Sequence, residues 1–365
     1  MESVKKNIKI VLAINDLGFG GGQRTLVMEA NEFLKMGVDV FVVTTLAGGK
    51  EDFLDLLKLE KNRIFRANIR SYFDFIRFFK LVRLLKDINA DFVISNLFFT
   101  NLFIRASKFF GVKSKIFVRE GNTMSFRGAF SILVDRLMSF VTTGYIANSF
   151  FVKDQLMKTL KLYFKDVAVV YNGIYNTFFL PENRKTNYHF SGCLNIVSVA
   201  SVTRKKNQVI VLDAIKILKE KEVNVTLTIF GVGSEVNNLL SRAKLLGVEE
   251  NLFIKPPRSD TESFLKNFDV FILTSLWEGM PNSMLEAMAV GLPVVAPDCG
   301  WSREIFKEGI NGLPIKEMTS DGVASALEIL FNDDGLRKEL GDNGRNFVAD
   351  WKWDAHARKI LNLLK

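Results

Sequence analysis

Histidine and cysteine are almost missing from this chain of 365 residues, with two of each. Cys193 and Cys299 stand far apart, so they give neither a disulfide framework nor a zinc-ligand pair, and a reducing compartment is the simplest reading. His189 and His356 are too few and too scattered for a site built on histidine acid–base chemistry. Long apolar runs are also absent. The opening MESVKKNIKIVLAIN holds a run too short for the core of a secretion signal, and nothing elsewhere reaches the length of a membrane-spanning helix. The expectation is a cytoplasmic protein or one that lies on a membrane surface. No internal repeat or low-complexity tract is visible. No zinc spacing, recognition helix or stacking motif supports a partner made of nucleic acid.

The chain does have apolar and basic residues. Hydrophobic residues make up 48% and charged residues 24%, as in an ordinary folded protein. The length favours two domains, each large enough for its own core. The net charge of +9 is unevenly spread. Met1 to Leu180 carries 26 Lys and Arg against 16 Asp and Glu, a net +10, whereas the remainder carries 23 against 24, a net −1. The first half therefore faces something anionic, nucleic acid or a membrane. The 33 phenylalanines favour the membrane.

The densest signal is SLWEGMPNSMLEAMAVGLPVVA, Ser275 to Ala296. Apolar runs at Val270–Leu273 and Val294–Ala296 flank it, Gly279 and Pro281 break the chain, and Gly291 and Pro293 end the helical segment. The spacing predicts strand, loop, helix, strand, with Glu278 in the loop and Glu286 in the first turn of the helix. Backbone amides of the loop and the helix start suit an anion. The two carboxylates suit hydroxyl donors. An anion beside hydroxyls suggests a sugar nucleotide. Equally, Ser283 and Glu286 can form a capping box that needs no ligand, and Glu278 can be a solvated loop acid.

This stretch, with Asp298–Ile305 and Asn311-Gly312 behind it, resembles the signature of retaining glycosyltransferases of family 4. The resemblance implies an α/β protein of GT-B type: two facing Rossmann-like domains with a cleft between them. The expected divisions are an acceptor-binding domain at 1–188, a nucleotide-sugar domain at 189–346 and a helix at 347–365 crossing back to the first domain. It also implies transfer of a sugar from a nucleotide diphosphate to an acceptor hydroxyl with retained anomeric configuration. A nucleotide sugar, first of all a UDP-sugar, is the expected co-substrate, and no cofactor is expected. No Asp-x-Asp triplet occurs, so no metal ion is expected on the diphosphate. The rival readings are a sugar-nucleotide epimerase on the same scaffold, disfavoured by scarce histidine, and a basic nucleic-acid-binding protein.

The carry-over then runs residue by residue. Gly21 and Gly22, in the glycine loop after a first strand at Ile8–Ile14, would let backbone approach the donor diphosphate. Arg24 would serve the acceptor. Lys206 matches the family's phosphate-binding lysine, but the arginine expected five residues earlier is Ser201; Arg204 or Lys205 could substitute from the same loop. Gly231 belongs to the turn expected under the base. Gly279, Met280, Pro281, Asn282 and Ser283 would surround the donor, with Glu278 accepting from sugar hydroxyls as the catalytic candidate and Glu286 from ribose hydroxyls. Arg119 and Asn122 follow a strand where many members carry His-Asp. Arg119 would bind an acceptor phosphate or pair with Glu120, and Asn122 would serve the acceptor. Val169–Ile174 resembles the lead-in to the linker, with a hinge expected at Tyr188–Gly192.

One segment lies outside this pattern. Tyr72–Asp87 repeats Arg77, Lys80, Arg83 and Lys86 every three residues, while phenylalanine and aliphatic residues cover most of the rest. It reads as a core-facing helix or as an interfacial helix on lipid headgroups, with a glycan or lipid-linked acceptor as partner.

Overall fold

In IVLAI, Ile10 to Ile14, and its counterparts, every side chain of a short run is apolar, so both faces of the strand have to be covered. That is the demand of a parallel sheet with helices on both sides. The computed structural model describes residues 8–122, 128–162, 166–189, 192–258 and 260–365. The opening residues 1–7 and part of the expected hinge, 190–191, lie outside the described residues.

The chain forms two compact units, Met1–Gly173 with Trp353–Lys365, and Ile174–Lys352. In the first, strands β1 (Lys9–Ile14), β2 (Asp39–Leu46), β3 (Ile64–Ile69), β4 (Phe92–Asn96), β5 (Lys115–Glu120), β6 (Gly144–Ala147) and β7 (Val167–Val169) pair in parallel in the order β3-β2-β1-β4-β5-β6-β7. Its helices are α1 (Gly21–Lys35), α2 (Phe75–Ile88), α3 (Phe98–Ala106), α4 (Ala129–Met138) and α5 (Phe150–Leu160). In the second unit, β8 (Leu194–Val199), β9 (Val225–Phe230), β10 (Leu252–Lys255), β11 (Val270–Ile272), β12 (Val294–Pro297) and β13 (Leu313–Ile315) pair in parallel as β10-β9-β8-β11-β12-β13. Helices α6 (Val209–Glu220), α7 (Val236–Leu246), α8 (Thr261–Phe264), α9 (Asn282–Val290), α10 (Ser320–Asn332) and α11 (Asp334–Phe347) accompany it, and α12 (Trp353–Leu364) returns to the first unit.

The division falls after Gly173, not at 188. The segment expected to lead to a hinge is tied into the second unit: Lys185 N donates to Val290 O at 2.7 Å, Tyr188 Oη to Gly291 O at 2.8 Å, and Arg345 reaches the carbonyls of Phe178 and Phe179 at 3.1 and 2.6 Å. In α2, Phe78, Leu81, Val82, Leu85 and Ile88 are buried. Phe75, Ile76 and Phe79, with Phe73 just before the helix, remain exposed. The helix therefore has a core face and a second, uncovered apolar face.

Candidate functional site

Both sheets reverse their strand order at a central strand, β1 in the first unit and β8 in the second. Loops leaving the carboxyl ends of strands on either side of such a point part from one another, and ligands of open α/β sheets bind there. In the second unit the two loops concerned follow β8 and β11, and they carry the residues singled out from the sequence.

The loops are latched together through backbone. Leu276 N donates to Lys205 O at 2.9 Å, and Thr274 Oγ1 lies within reach of Lys206 O and Asn207 O, at 2.9 and 3.1 Å. The latch sets two lysines over one acid. Lys205 Nζ is 3.1 Å from Glu278 Oε2, and Lys206 Nζ bonds Glu278 Oε1. Glu278 is only 6% exposed. Burial alone would raise its carboxyl pKa, but the charges of Lys206 and then Lys205 outweigh that and hold it below the ordinary carboxylate value. The carboxylate is thus kept anionic, an acceptor only.

The cations offered in place of the missing arginine differ in where they lie. Ser201 is exposed and its carbonyl accepts from Gln208 Nε2 at 3.0 Å. The Arg204 side chain is 92% exposed and lies 3.7 Å from Glu235. Lys205, not Arg204, joins Lys206 at Glu278. Gly231 has a packing reason: a Cβ there would stand 1.9 Å from Ala200 O, and one at Gly233 would stand 2.0 Å from Val202 O. The two loops meet backbone to backbone, with Val202 N donating to Val232 O at 2.9 Å.

Helix α9 begins immediately after this loop. Its N-cap is Pro281 with no side-chain cap, and the first helical residue is Asn282. Gly279, Met280 and Pro281 are buried, while Asn282 and Ser283 are half-buried. Ser283 is therefore two positions too late to be the cap, and Glu286 lies beyond the first turn. The capping box of the sequence reading does not form. Glu286 Oε2 instead accepts from Thr261 Oγ1 on α8 at 3.1 Å. The positive end of α9 and the two lysines lie on the same pair of loops, a setting for a phosphate charge.

In the first unit, Gly21 and Gly22 form the exposed first turn of α1, and a Cβ on Gly22 would meet nothing within 4 Å. Asp16 Oδ1 ties the loop by accepting from Gly18 N at 3.0 Å and Gln23 Nε2 at 3.2 Å. Arg24 is half-buried in the same turn, and Asn122 is exposed just beyond β5. Arg119 requires correction. Its two terminal nitrogens donate to Glu29 on α1 at 2.7 and 2.6 Å, and the residue is 7% exposed. Its carboxylate partner is Glu29 and not Glu120. Glu29 also has His356 Nε2 at 3.7 Å, while His356 Nδ1 donates to Tyr171 O at 2.6 Å. Burial works to raise the Glu29 carboxyl, but Arg119 and then His356 bring it down to about 2. Sequence reasoning passed over Glu29, although an acid on the same helical face as Leu26 and Phe33, three and four positions away, was a usable signal.

Two doubly wound parallel sheets, with a cation-held carboxylate at the reversal point of the second, define a GT-B type α/β protein with a site suited to an anion and hydroxyls. Residues 181–347 match the family model for glycosyl transferases group 1, and residues 19–176 match that for glycosyltransferase family 4. An uncharacterized glycosyltransferase of Haemophilus influenzae is 25% identical over 351 residues, 94% of this chain and 96% of its own. The N,N'-diacetylbacillosaminyl-diphospho-undecaprenol alpha-1,3-N-acetylgalactosaminyltransferase of Campylobacter jejuni is 26% identical over 350 residues, 89% of this chain and 90% of its own. The crystal structure of Anabaena HepE in complex with UDP and glucose shares the fold, with a TM-score of 0.82 over 97% of this chain and 98% of that one at 18% identity. This chain belongs to the family 4 glycosyltransferases.

Proposed function

We propose that the protein transfers a hexosyl group from a nucleotide diphosphate sugar, a UDP-sugar in the first instance, to a glycan or lipid-linked acceptor of a cell-surface polysaccharide, with retention of configuration and without a metal ion. The observation that carries this is the Lys205–Glu278–Lys206 cluster beside the start of α9. A diphosphate entering there competes with Glu278 for the lysines. Once they turn to phosphate, the carboxylate is left to accept hydrogen bonds from donor-sugar hydroxyls. The lysines and the amides of α9 then neutralise charge as the sugar leaves the diphosphate. Glu286, beside Thr261, is assigned to ribose hydroxyls, and the glycine turn at Gly231 to the base. Gly21, Gly22, Arg24 and Asn122 are assigned to the reacting ends of donor and acceptor.

The names of the relatives support the substrate classes. HepE was solved with UDP and glucose, and the Campylobacter jejuni relative is named for a diphospho-undecaprenol acceptor. Retention rests on the resemblance of the Glu278–Glu286 stretch to retaining enzymes. Metal independence rests on the missing Asp-x-Asp and on cations supplied by the chain itself. We place the enzyme at the inner face of the cell membrane, in keeping with its free cysteines and the basic first unit.

A thermal-shift series with UDP-, GDP- and ADP-sugars tests the donor assignment. A ligand at about 100 times its Kd adds about 2.7 kcal/mol of stability, so one base should stand out. Transfer with the winning donor should persist in excess chelator. Loss of turnover in EDTA, restored by magnesium or manganese, overturns the metal-free reading.

A further inference from the structure

The carboxyl ends of β2 and β3 and the start of α2 enclose a cavity of about 480 Å³ that plays no part in the site described above. Gly48 and Asn68 contribute small or neutral wall, and the charged wall is Arg66, Arg70, Arg77 and Lys80. Two carboxylates answer these four cations. Arg66 pairs with Glu51, and Arg77 pairs with Asp74 at 3.2 Å. Asp74 is also engaged as the cap of α2, accepting from Arg77 N and from Arg70 N. Among the described residues, the side chains of Arg70 and Lys80 have no carboxylate partner. The pocket is left with an excess of two positive charges.

A second feature occupies the same stretch of chain. Phe73, Phe75 and Ile76 lie in sequence between the pocket's own Arg70 and Arg77, and they are 80%, 61% and 74% exposed. Phe79, next to Lys80, stacks edge-on against Phe110 with 5.0 Å between centroids, and Phe109 beside it is 67% exposed. A soluble anion such as free phosphate would explain the cations but gives no reason to leave large apolar side chains in water beside them. A bilayer surface answers both, with phosphate at headgroup depth and acyl chains just below.

We propose that this pocket takes the phosphodiester of an anionic lipid headgroup, while Phe73, Phe75 and Ile76 enter the acyl boundary next to it. The site deepens the membrane placement proposed above and rests on it. Binding is read here without turnover, so a failure leaves the assignment of sugar transfer standing.

The test is co-sedimentation of the full chain with vesicles of phosphatidylcholine alone or of phosphatidylcholine with phosphatidylglycerol, at low and high salt. Binding is expected to the anionic vesicles, reduced by salt but not abolished. Arg70→Glu combined with Lys80→Glu should lower it about ten-fold or more, whereas Arg70→Lys combined with Lys80→Arg should keep it. Phe73→Ser combined with Ile76→Ser should remove the part that survives salt. All variants alter exposed side chains, and an unchanged melting curve and UDP response confirm that they fold. Equal binding to neutral and anionic vesicles overturns the proposal, as does wild-type binding by the charge-reversed variant. A thermal shift with glycerol phosphate that needs Arg70 and Lys80, without vesicle binding, would make this a soluble-anion pocket and also overturn it.

Discussion

Each unit holds a buried carboxylate against basic side chains, Glu29 in the first and Glu278 in the second, and the two clusters differ in how they are closed. Glu29 is wholly buried, and Arg119 grips it with both terminal nitrogens while itself only 6% exposed in its side chain. Glu278 is nearly as buried, but its partners are lysines whose side chains remain 25% and 16% exposed. A guanidinium fork fixes geometry, whereas an ammonium on a flexible stem is a point charge that can turn to another anion. The arginine pair is thus built as a lock, whereas the lysine pair leaves its cations able to exchange one anion for another.

The strongest way to break this contrast is at Glu29. Glu29→Ala leaves Arg119 buried and unpaired, so stability should fall by about 3–5 kcal/mol in chemical denaturation. An unchanged midpoint would mean that the pair is not a lock. Glu278→Ala should instead leave the melting midpoint close to wild type and abolish most turnover.

Smaller effects sharpen the second cluster. Lys206→Ala and Glu286→Ala should each weaken nucleotide binding by about 1.5–3 kcal/mol in calorimetry while the fold survives. Unchanged donor affinity in both would remove the site assignment. Lys205→Ala should fall in the same range, and Arg204→Ala within about 0.5 kcal/mol of wild type. The reverse order would return the second cation to Arg204.

Acid offers the gentlest probe. Glu29 titrates at about 2 in the fold, below the ordinary 4.5. Its stabilisation is complete above 4.5 and is lost as pH falls through that interval towards 2. Glu29→Gln should flatten that part of the stability profile. A variant curve parallel to wild type between these values would assign the acid loss to other groups.

The contrast also marks what was legible in the sequence. The strand cores IVLAI and VFI were legible because burial on both faces leaves no polar position. The Glu278 stretch was legible because Gly279, Pro281, Gly291 and Pro293 punctuate it. The partner of Arg119 was not, since Glu29 lies 90 positions away and only the folded first unit brings them together. The domain boundary failed for a similar reason. Residues 174–188 have no periodicity of their own, and their place is set by Val290, Gly291 and Arg345. The failed capping box at Ser283 came from a helix that begins two residues sooner than such a cap requires, at Asn282.

Helix α12 carries a consequence for synthesis. Trp353, His356, Ala357, Ile360 and Leu364 are buried in the first unit, yet they are translated after the whole of the second. While the ribosome works through residues 174–352, α1 waits with Glu29 lacking its histidine and its apolar side uncovered. The unit begun second is therefore finished first. A premature stop shortly after Lys352 would spare the later unit and cripple the earlier one, so damage at one end of the message is felt in the product of the other.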